Sequence, residues 1–219
     1  MAGRISYYGN IVKDGLVLDL DAAKRDSYPG TGTAWNDISG FRNNGVLTNG
    51  PTFNSDNGGS IVFDGSNDFV NLGTSIQNYS IFTTSFWINY NVFNSSHKSP
   101  IGDNSQEFLY HVLFLSGIIY IGFSSNFSGL SYTGAAHNTI NVGNWYNFVI
   151  TKNSSNLISF YQNSILLGTQ VKGGNVNVNT IGKGYVYDNA KISNLLFYNR
   201  ALSASEVLQN YNATKGRYL

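Results

Sequence analysis

Asp19 and Asp21 stand two residues apart in Leu16-Val17-Leu18-Asp19-Leu20-Asp21. In this strand-like run Leu16, Leu18 and Leu20 share one face, and Val17 and the two carboxylates share the other. A carboxylate pair at that spacing could ligate a cation. It is also the one pair here that offers the separation of roughly 5–9 Å that glycoside hydrolysis requires. The plainer reading is taken: outward charges on a half-buried strand. The other groups able to do chemistry are scattered. There are two glutamates, Glu107 at a strand start and Glu206 in a helix-capping position. The three histidines, His97, His111 and His137, lie far apart, and there is no cysteine nucleophile and no Gly-x-Ser-x-Gly elbow. No catalytic residue is assigned, and the chain reads as a non-enzyme. Hard cations want several oxygens, anionic ones among them, so no metal and no other cofactor is expected, with calcium left open but disfavoured.

Exposed aromatic rings beside Asn, Asp and Gly offer a different chemistry. Ring faces suit the apolar faces of sugars, and amides and carboxylates suit their hydroxyls. Two stretches have this make-up. Ser124 to Asn141 is the longest polar and aromatic segment and holds Phe127 and Tyr132, while Tyr185, Tyr187, Asp188 and Asn189 form a second exposed-looking aromatic loop. These six residues are the glycan-binding candidates. The alternative for each ring is a place in the core or an interface. The alternative for the longer loop is a surface excursion with one or two short edge strands.

Composition bounds what can carry these residues. A chain of 219 residues suits one large all-β domain with a core of its own. Tyr, Phe, Gly, Asn and Ser dominate, as in sandwiches of half-buried strands and tight turns. The formal net charge of +1 leaves no basic footprint for nucleic acid. No apolar run is long enough for a membrane helix, and Met1 to Tyr8 does not read as a signal-peptide core. The absence of cysteine argues against a disulfide-stapled secreted module. Charged residues make up only 11% of the chain. So uncharged a surface suits a component of an assembly better than a free monomer.

The elements follow from periodicity. Ser60 to Leu72 reads as a tight hairpin, with Ile61 and Phe63 before Asp64-Gly65-Ser66-Asn67-Asp68 and Phe69, Val70 and Leu72 after it. Its acids cap the turn rather than hold a metal. Phe86, Ile88, Tyr90 and Val92 alternate with Trp87, Asn89 and Asn91 along a clean strand. Phe108 to Leu115 is apolar on both faces, and Ser116-Gly117 turns it into Ile118 to Phe123. Trp145 to Thr169 reads as a three-strand antiparallel meander. The expected core comprises Phe63, Phe86, Ile88, Val112, Phe148, Phe160 and Phe197. Ser203 with Glu206 makes a capping box, Leu202 and Val207 offer a hydrophobic staple, and Gly216 is a natural stop, so one short helix is expected over about 204–214. Residues 1–13 read as an N-terminal arm and 14–219 as the domain. Ile5, Tyr7, Tyr8 and Ile11 are the arm's anchors to the domain or to a neighbour.

The segment Phe63-Asp64-Gly65-Ser66-Asn67-Asp68-Phe69-Val70 resembles the signature of the laminin-G-like, concanavalin A-like jelly-roll family. Gly15 to Asp21, Trp35 to Gly40, Asn43-Asn44-Gly45 and Gly50 to Phe53 precede it in the family's order. Ser85 to Ile88, Gly143 to Val149 and Ile192 to Ser203 follow. The resemblance implies a two-sheet antiparallel jelly-roll sandwich. Glucanases of this type carry Glu-x-Asp-x-Glu on one strand, which this chain lacks. The Asp-Glu pair that often follows the isoleucine of the closing motif is replaced here by the neutral Ser193 and Asn194, which speaks against calcium.

Tyr198 to Ser203, with Asn210 to Lys215 and the opening Gly15 to Gly45, is similar to laminin-G-like proteins of tailed bacteriophage virions. That similarity implies a non-enzymatic virion structural protein, either a capsid decoration or head fibre or a tail component, made in the host cytoplasm. Its partners would be other virion proteins and copies of itself, with a trimer as the first expectation. The alternative is a carbohydrate-binding module for host-surface glycans, and a glycoside hydrolase ranks third. No nucleic-acid or membrane partner is expected.

Overall fold

The computed structural model describes residues 10–93, 97–103, 109–123 and 131–219. Its strands are β1 (Leu16–Asp21), β2 (Ala34–Trp35), β3 (Gly45–Thr48), β4 (Thr52–Asn54), β5 (Ser60–Asp64), β6 (Phe69–Tyr79), β7 (Phe82–Tyr90) and β8 (Lys98–Asp103). They continue with β9 (Leu109–Leu115), β10 (Ile118–Phe123), β11 (Ser131–Ala136), β12 (Trp145–Lys152), β13 (Leu157–Gln162), β14 (Ile165–Val171), β15 (Val176–Ile181) and β16 (Asn189–Tyr198). The helix α1 (Ala204–Thr214) closes the chain with a short 3-10 turn after it.

Two eight-stranded antiparallel sheets stack face to face. The first runs β14-β13-β12-β7-β16-β5-β4, with β1 also paired to β16. The second runs β11-β10-β9-β8-β15-β6-β3-β2. β16 organises the first sheet. One of its edges pairs with β7, and the other is shared between β5, at Asn189–Ile192, and β1, at Asn194–Tyr198. Phe63, Phe86, Ile88, Val112, Phe148, Phe160 and Phe197 all have no exposed surface and belong to one apolar layer between the sheets, as their alternating positions require.

The Ser60–Leu72 stretch is not a hairpin. β5 lies in the first sheet and β6 in the second, so the turn between them is a crossover. Strand period and turn chemistry identify two strands and a turn but do not say which sheet each strand joins. The capping role of the acids holds. Asp64 Oδ1 accepts from the Ser66 amide at 2.7 Å, and Asp68 Oδ2 accepts from the Asp64 amide at 3.2 Å. Gly65 has φ +80°, and a Cβ there would stand 2.9 Å from that of Asn189. Glycine answers both demands.

The outer face of the first sheet is covered by the end of the chain. All nine residues of β7 are buried, outward-facing Trp87 included. The Trp87 ring stacks on Tyr218 with centroids 4.1 Å apart and on Tyr211 at 5.6 Å, and its Nε1 donates to Thr214 Oγ1 at 2.9 Å. Beside it Val149, Tyr161, Leu196 and Tyr198 form a second apolar cluster with Val12, Leu202 and Val207. An eleven-residue helix is marginal alone, and this packing holds it. The capping box is present as expected: Ser203 Oγ accepts from the Glu206 amide, and the Ser203 amide donates to Glu206 Oε2 at 2.8 Å. Gly216 does not stop the helix, because the chain continues through the 3-10 turn Lys215–Arg217.

A buried polar triangle locks the start of the described chain to this cover. The Val12 amide donates to Asn210 Oδ1, Asn210 Nδ2 donates to the Tyr198 hydroxyl, and that hydroxyl donates to the Val12 carbonyl. Ile11 packs on the same cluster of its own chain. Ile5, Tyr7 and Tyr8 lie outside the described residues. Among the described residues no helix is long and apolar enough to cross a membrane.

Candidate functional site

Between β15 and β16 the chain makes a short loop whose Lys183 and Tyr187 form an antiparallel bridge. Gly182 starts it with φ +78°, at a point where a Cβ would press on the Phe63 ring at 2.5 Å. Only glycine lets the loop leave the core at that point. Tyr185 sits 48% exposed, its ring centroid 5.0 Å from that of His97. The Tyr187 ring lies 6.5 Å from Phe69, and Lys183 Nζ stands 4.7 Å from the Phe69 centroid and 5.3 Å from that of Tyr187. Phe69 and His97 arrive from the start of β6 and the approach to β8. They join the site only through the fold, and no local sequence signal marks them, or Lys183, as its members.

One of the loop's two polar candidates is not on the surface as expected. Asp188 is fully buried. Its Oδ1 accepts from the Ser99 amide at 3.0 Å. Its Oδ2 and the buried Tyr90 hydroxyl lie near each other, yet both lack a hydrogen-bond partner. Burial pushes the Asp188 carboxyl up to about 7, against the smaller opposing pull of the Ser99 amide, the Lys98 charge and Tyr90. Burial, with the Asp188 charge second, drives the Tyr90 phenol well above its usual range. Asn189 is a structural tie: its Nδ2 donates to the Asp64 carbonyl at 3.0 Å and its Oδ1 accepts from Asn91 Nδ2 at 2.9 Å. The strand period could not show that the Asp188 side chain is buried rather than outward. Phe127 lies outside the described residues. Tyr132 stands on the edge strand β11, and its side chain is outside the description too.

The acid pair on β1 is also buried rather than outward, because α1 and the tail after it cover that face. Asp19 is 0% and Asp21 1% exposed. Both Asp21 oxygens accept from the Arg217 guanidinium, at 2.7 and 2.8 Å, and Lys24 Nζ stands 3.2 Å away. Among the described residues no group of three His, Cys, Asp or Glu side chains could hold a metal ion. Glu206 likewise has its place in the fold. A bidentate contact from Arg200 is the main cause that holds its carboxyl down at about 2.

Residues 64–208 match the concanavalin A-like lectin/glucanases superfamily. The chain belongs to this superfamily. In three dimensions it is similar to the binding domain of Paraclostridial Mosquitocidal Protein 1, at TM-score 0.69 and 19% identity over 92% of this chain and 52% of that one. It is similar to the binding domain of botulinum neurotoxin DC in complex with SialylT, at TM-score 0.70 and 17% identity over 92% and 52%. A third relative in shape is botulinum neurotoxin type C, in a structure whose subject is cell entry dependent on two ganglioside molecules, at TM-score 0.68 and 16% identity over 93% and 52%. The chain thus spans about half the length of these structures. None of the curated proteins matches it in sequence. At these identities the likeness shows the fold: a lectin-like jelly roll of the kind found in toxin binding domains.

Proposed function

We propose that this domain is a non-catalytic carbohydrate-binding module that engages saccharide through the aromatic loop 183–187. One observation carries the reading: a half-exposed Tyr185 ring backed by His97, with Tyr187, Phe69 and the Lys183 ammonium assembled on the same loop. A ring face offers van der Waals contact to the C–H face of a pyranose, and Lys183 offers a donor to its hydroxyls. The fold supports the reading by its kinship with binding domains, one of them solved with SialylT. The virion role implied by the Tyr198 to Lys215 resemblance has no counterpart in the three structures named above. The proposal therefore rests on binding, not on assembly. It is also non-hydrolytic, since the Asp19–Asp21 pair is buried beneath the C-terminal cover and faces lysines and an arginine.

A glycan array tests it. The expected result is retention of a set of glycans by the wild type, with binding at least about tenfold weaker in Tyr185→Ala and a melting temperature unchanged from the wild type. No bound glycan, or full binding by Tyr185→Ala, would overturn the assignment.

A further inference from the structure

Asp188 closes the loop 182–188 and stands between the two sheets at that end of the sandwich. β15 pairs with β8 at Thr180–Gly102 and Ile181–Ile101 and then stops. Beyond it the Gly182 amide donates to the Pro100 carbonyl at 2.8 Å. The Asp188 carboxyl takes the next place, its Oδ1 accepting from the Ser99 amide at 3.0 Å. The Asp188 amide donates to the Gly182 carbonyl at 2.9 Å, so the same residue ties the loop's two ends together. On its other side the carboxyl meets Tyr90 of β7, in the first sheet. The residue that enters β8, His97, is the ring that backs Tyr185. One carboxyl thus holds the loop's closure and the strand end that supports the exposed tyrosine.

The place suits a neutral acid better than an anion. Asp188 has no exposed surface, and its Oδ2, the Tyr90 hydroxyl and Ser99 Oγ are all buried without a hydrogen-bond partner. A protonated carboxyl can donate its O–H and still accept from Ser99. An ionised one brings a charge into an enclosed space, which costs far more than burying a neutral polar group. Two ionisable groups face it: the Tyr90 phenol from β7, and Lys98 from β8, whose Nζ stands 3.4 Å from the His97 carbonyl. His97, Lys183, Tyr185 and Tyr187 meet one another and Phe69. The β5–β6 turn meets this end of β16 through the Asp64 carbonyl, on Asn189. The loop is held shut by a short set of backbone bonds, and Tyr185 at its tip is half in solvent. Opening it is the nearest way to bring water to a charge on Asp188. We infer that the loop 182–188 is a latch worked by the Asp188 proton: shut while the carboxyl is protonated, and open, with Tyr185 drawn off His97, once it ionises. Burial holds this carboxyl up at about 7, so the latch works around neutrality. That saccharide is then bound more tightly below neutrality than above it rests on the function proposed for the loop; the latch itself does not.

Amide spectra and hydrogen exchange of the labelled full chain, from about pH 5 to about pH 9, test the inference. In the wild type the amides of 97–102 and 182–189 should move together with one midpoint near 7, and those of 145–152 should stay. In Asp188→Asn, which keeps an oxygen for the Ser99 amide and cannot ionise, none of them should move. Exchange at Gly182, Gly184 and residue 188 should be equal in the two proteins near about pH 5 and at least about tenfold faster in the wild type near about pH 8. His97→Phe keeps a ring against Tyr185 and takes away the imidazole as a rival source of the transition, which should persist. Tyr90→Phe removes a donor to the ionised form and should raise the midpoint, and it carries the test if Asp188→Asn does not fold. The inference is wrong if no transition is seen, if it survives Asp188→Asn, if it vanishes in His97→Phe, or if Tyr90→Phe leaves the midpoint in place. It is equally wrong if the spectra move while exchange stays equal, because Asp188 then ionises with the loop shut. A glycan array that retains nothing at either pH overturns the saccharide reading and leaves the latch standing.

Discussion

Asp21 and Asp188 are the same residue type, buried to the same degree, and they titrate in opposite directions. Burial is the largest influence on each, and it favours the protonated form. At Asp21 the Arg217 guanidinium meets both oxygens, Lys24 and the Ala23 amide add to it, and together they outweigh burial, so the carboxyl ionises more readily than usual. At Asp188 one amide, a lysine charge and a phenol do not outweigh burial, and the carboxyl is held near neutrality. The first aspartate is a clamp that fixes the C-terminal tail across the sheet. The second is a titratable group beneath the loop that carries Tyr185. The degree of burial does not separate the two roles. What separates them is whether a fork-shaped cation reaches the oxygens.

Breaking the clamp should have the largest effect. Arg217→Ala leaves Asp21 buried with Lys24 as its one cation. Removing one partner of a buried pair commonly costs 3–5 kcal/mol. Roughly 2–4 kcal/mol is expected here, because 26% of the Arg217 side chain is in solvent. The denaturant midpoint reads it, and a loss below about 1 kcal/mol would mean that Lys24 alone satisfies Asp21. The double variant Asp21→Asn, Arg217→Met should recover most of the loss, since no charge is then left unpaired. The pH signature follows from the lowered carboxyl. The clamp contributes fully above the ordinary aspartate range and is lost as pH falls through it.

Asp188 should show the reverse slope. Its folded carboxyl titrates at about 7 against an ordinary 3.8, so the folded state holds the proton more tightly than the unfolded chain. The stability this brings is complete below about pH 4 and is lost as pH rises through about 7. Asp188→Asn cannot ionise and should flatten that profile. At about pH 8 it should be more stable than the wild type by roughly 2–4 kcal/mol, and near pH 4 the difference should vanish. Urea melts at both ends of the range decide the matter. Parallel profiles for the two proteins would show that Asp188 does not titrate as its burial requires.

Much of this contrast was out of reach of the sequence, for identifiable reasons. Periodicity located β1, β5, β6, β7, β9, β10 and the meander β12 to β14, with the core phenylalanines and the helix, since each depends on residues close in the chain; it did not locate β8 or β15. The capping box at Ser203 and Glu206 was legible for the same reason. The burial of Asp19 and Asp21 was not, because it depends on Arg217 and α1 arriving nearly two hundred residues later to cover an outer face. The β5–β6 turn was recognised as a turn but misassigned as a hairpin, because sheet membership is decided by the distant partners β16 and β15. At the loop, Tyr185 and Tyr187 stood out by type. Phe69, His97 and Lys183 did not, and Asp188 looks surface-like in sequence while the fold buries it.

A smaller test asks whether the clamp depends on the helix that leads to it. Ser203→Ala removes the acceptor for the Glu206 amide. N-cap losses of this kind cost about 1 kcal/mol. The expected outcome is a drop of that size in thermal or denaturant stability, with the Asp188 pH profile unchanged. A shifted Asp188 profile would mean that the two regions are coupled through the sheet, and the contrast drawn above would not be local.

The smallest effect expected is that of calcium. Calcium takes six to eight oxygens, with carboxylates among them, and the two regions offer acids that are paired, faced by cations or enclosed. Asp21 gives both oxygens to Arg217, Asp19 faces Lys13 and Lys24, and Asp188 is enclosed with Lys98 nearby. Asp64 and Asp68 are occupied in capping their turn. A cation entering beside Asp19 would have to displace or outcompete three positive side chains. Binding to the native state alone would raise the melting temperature by mass action. The melting temperature should therefore be the same in calcium and in chelator. An upward shift with calcium that disappears in Asp19→Asn would show that the lysines yield to a metal at the acid pair beneath α1.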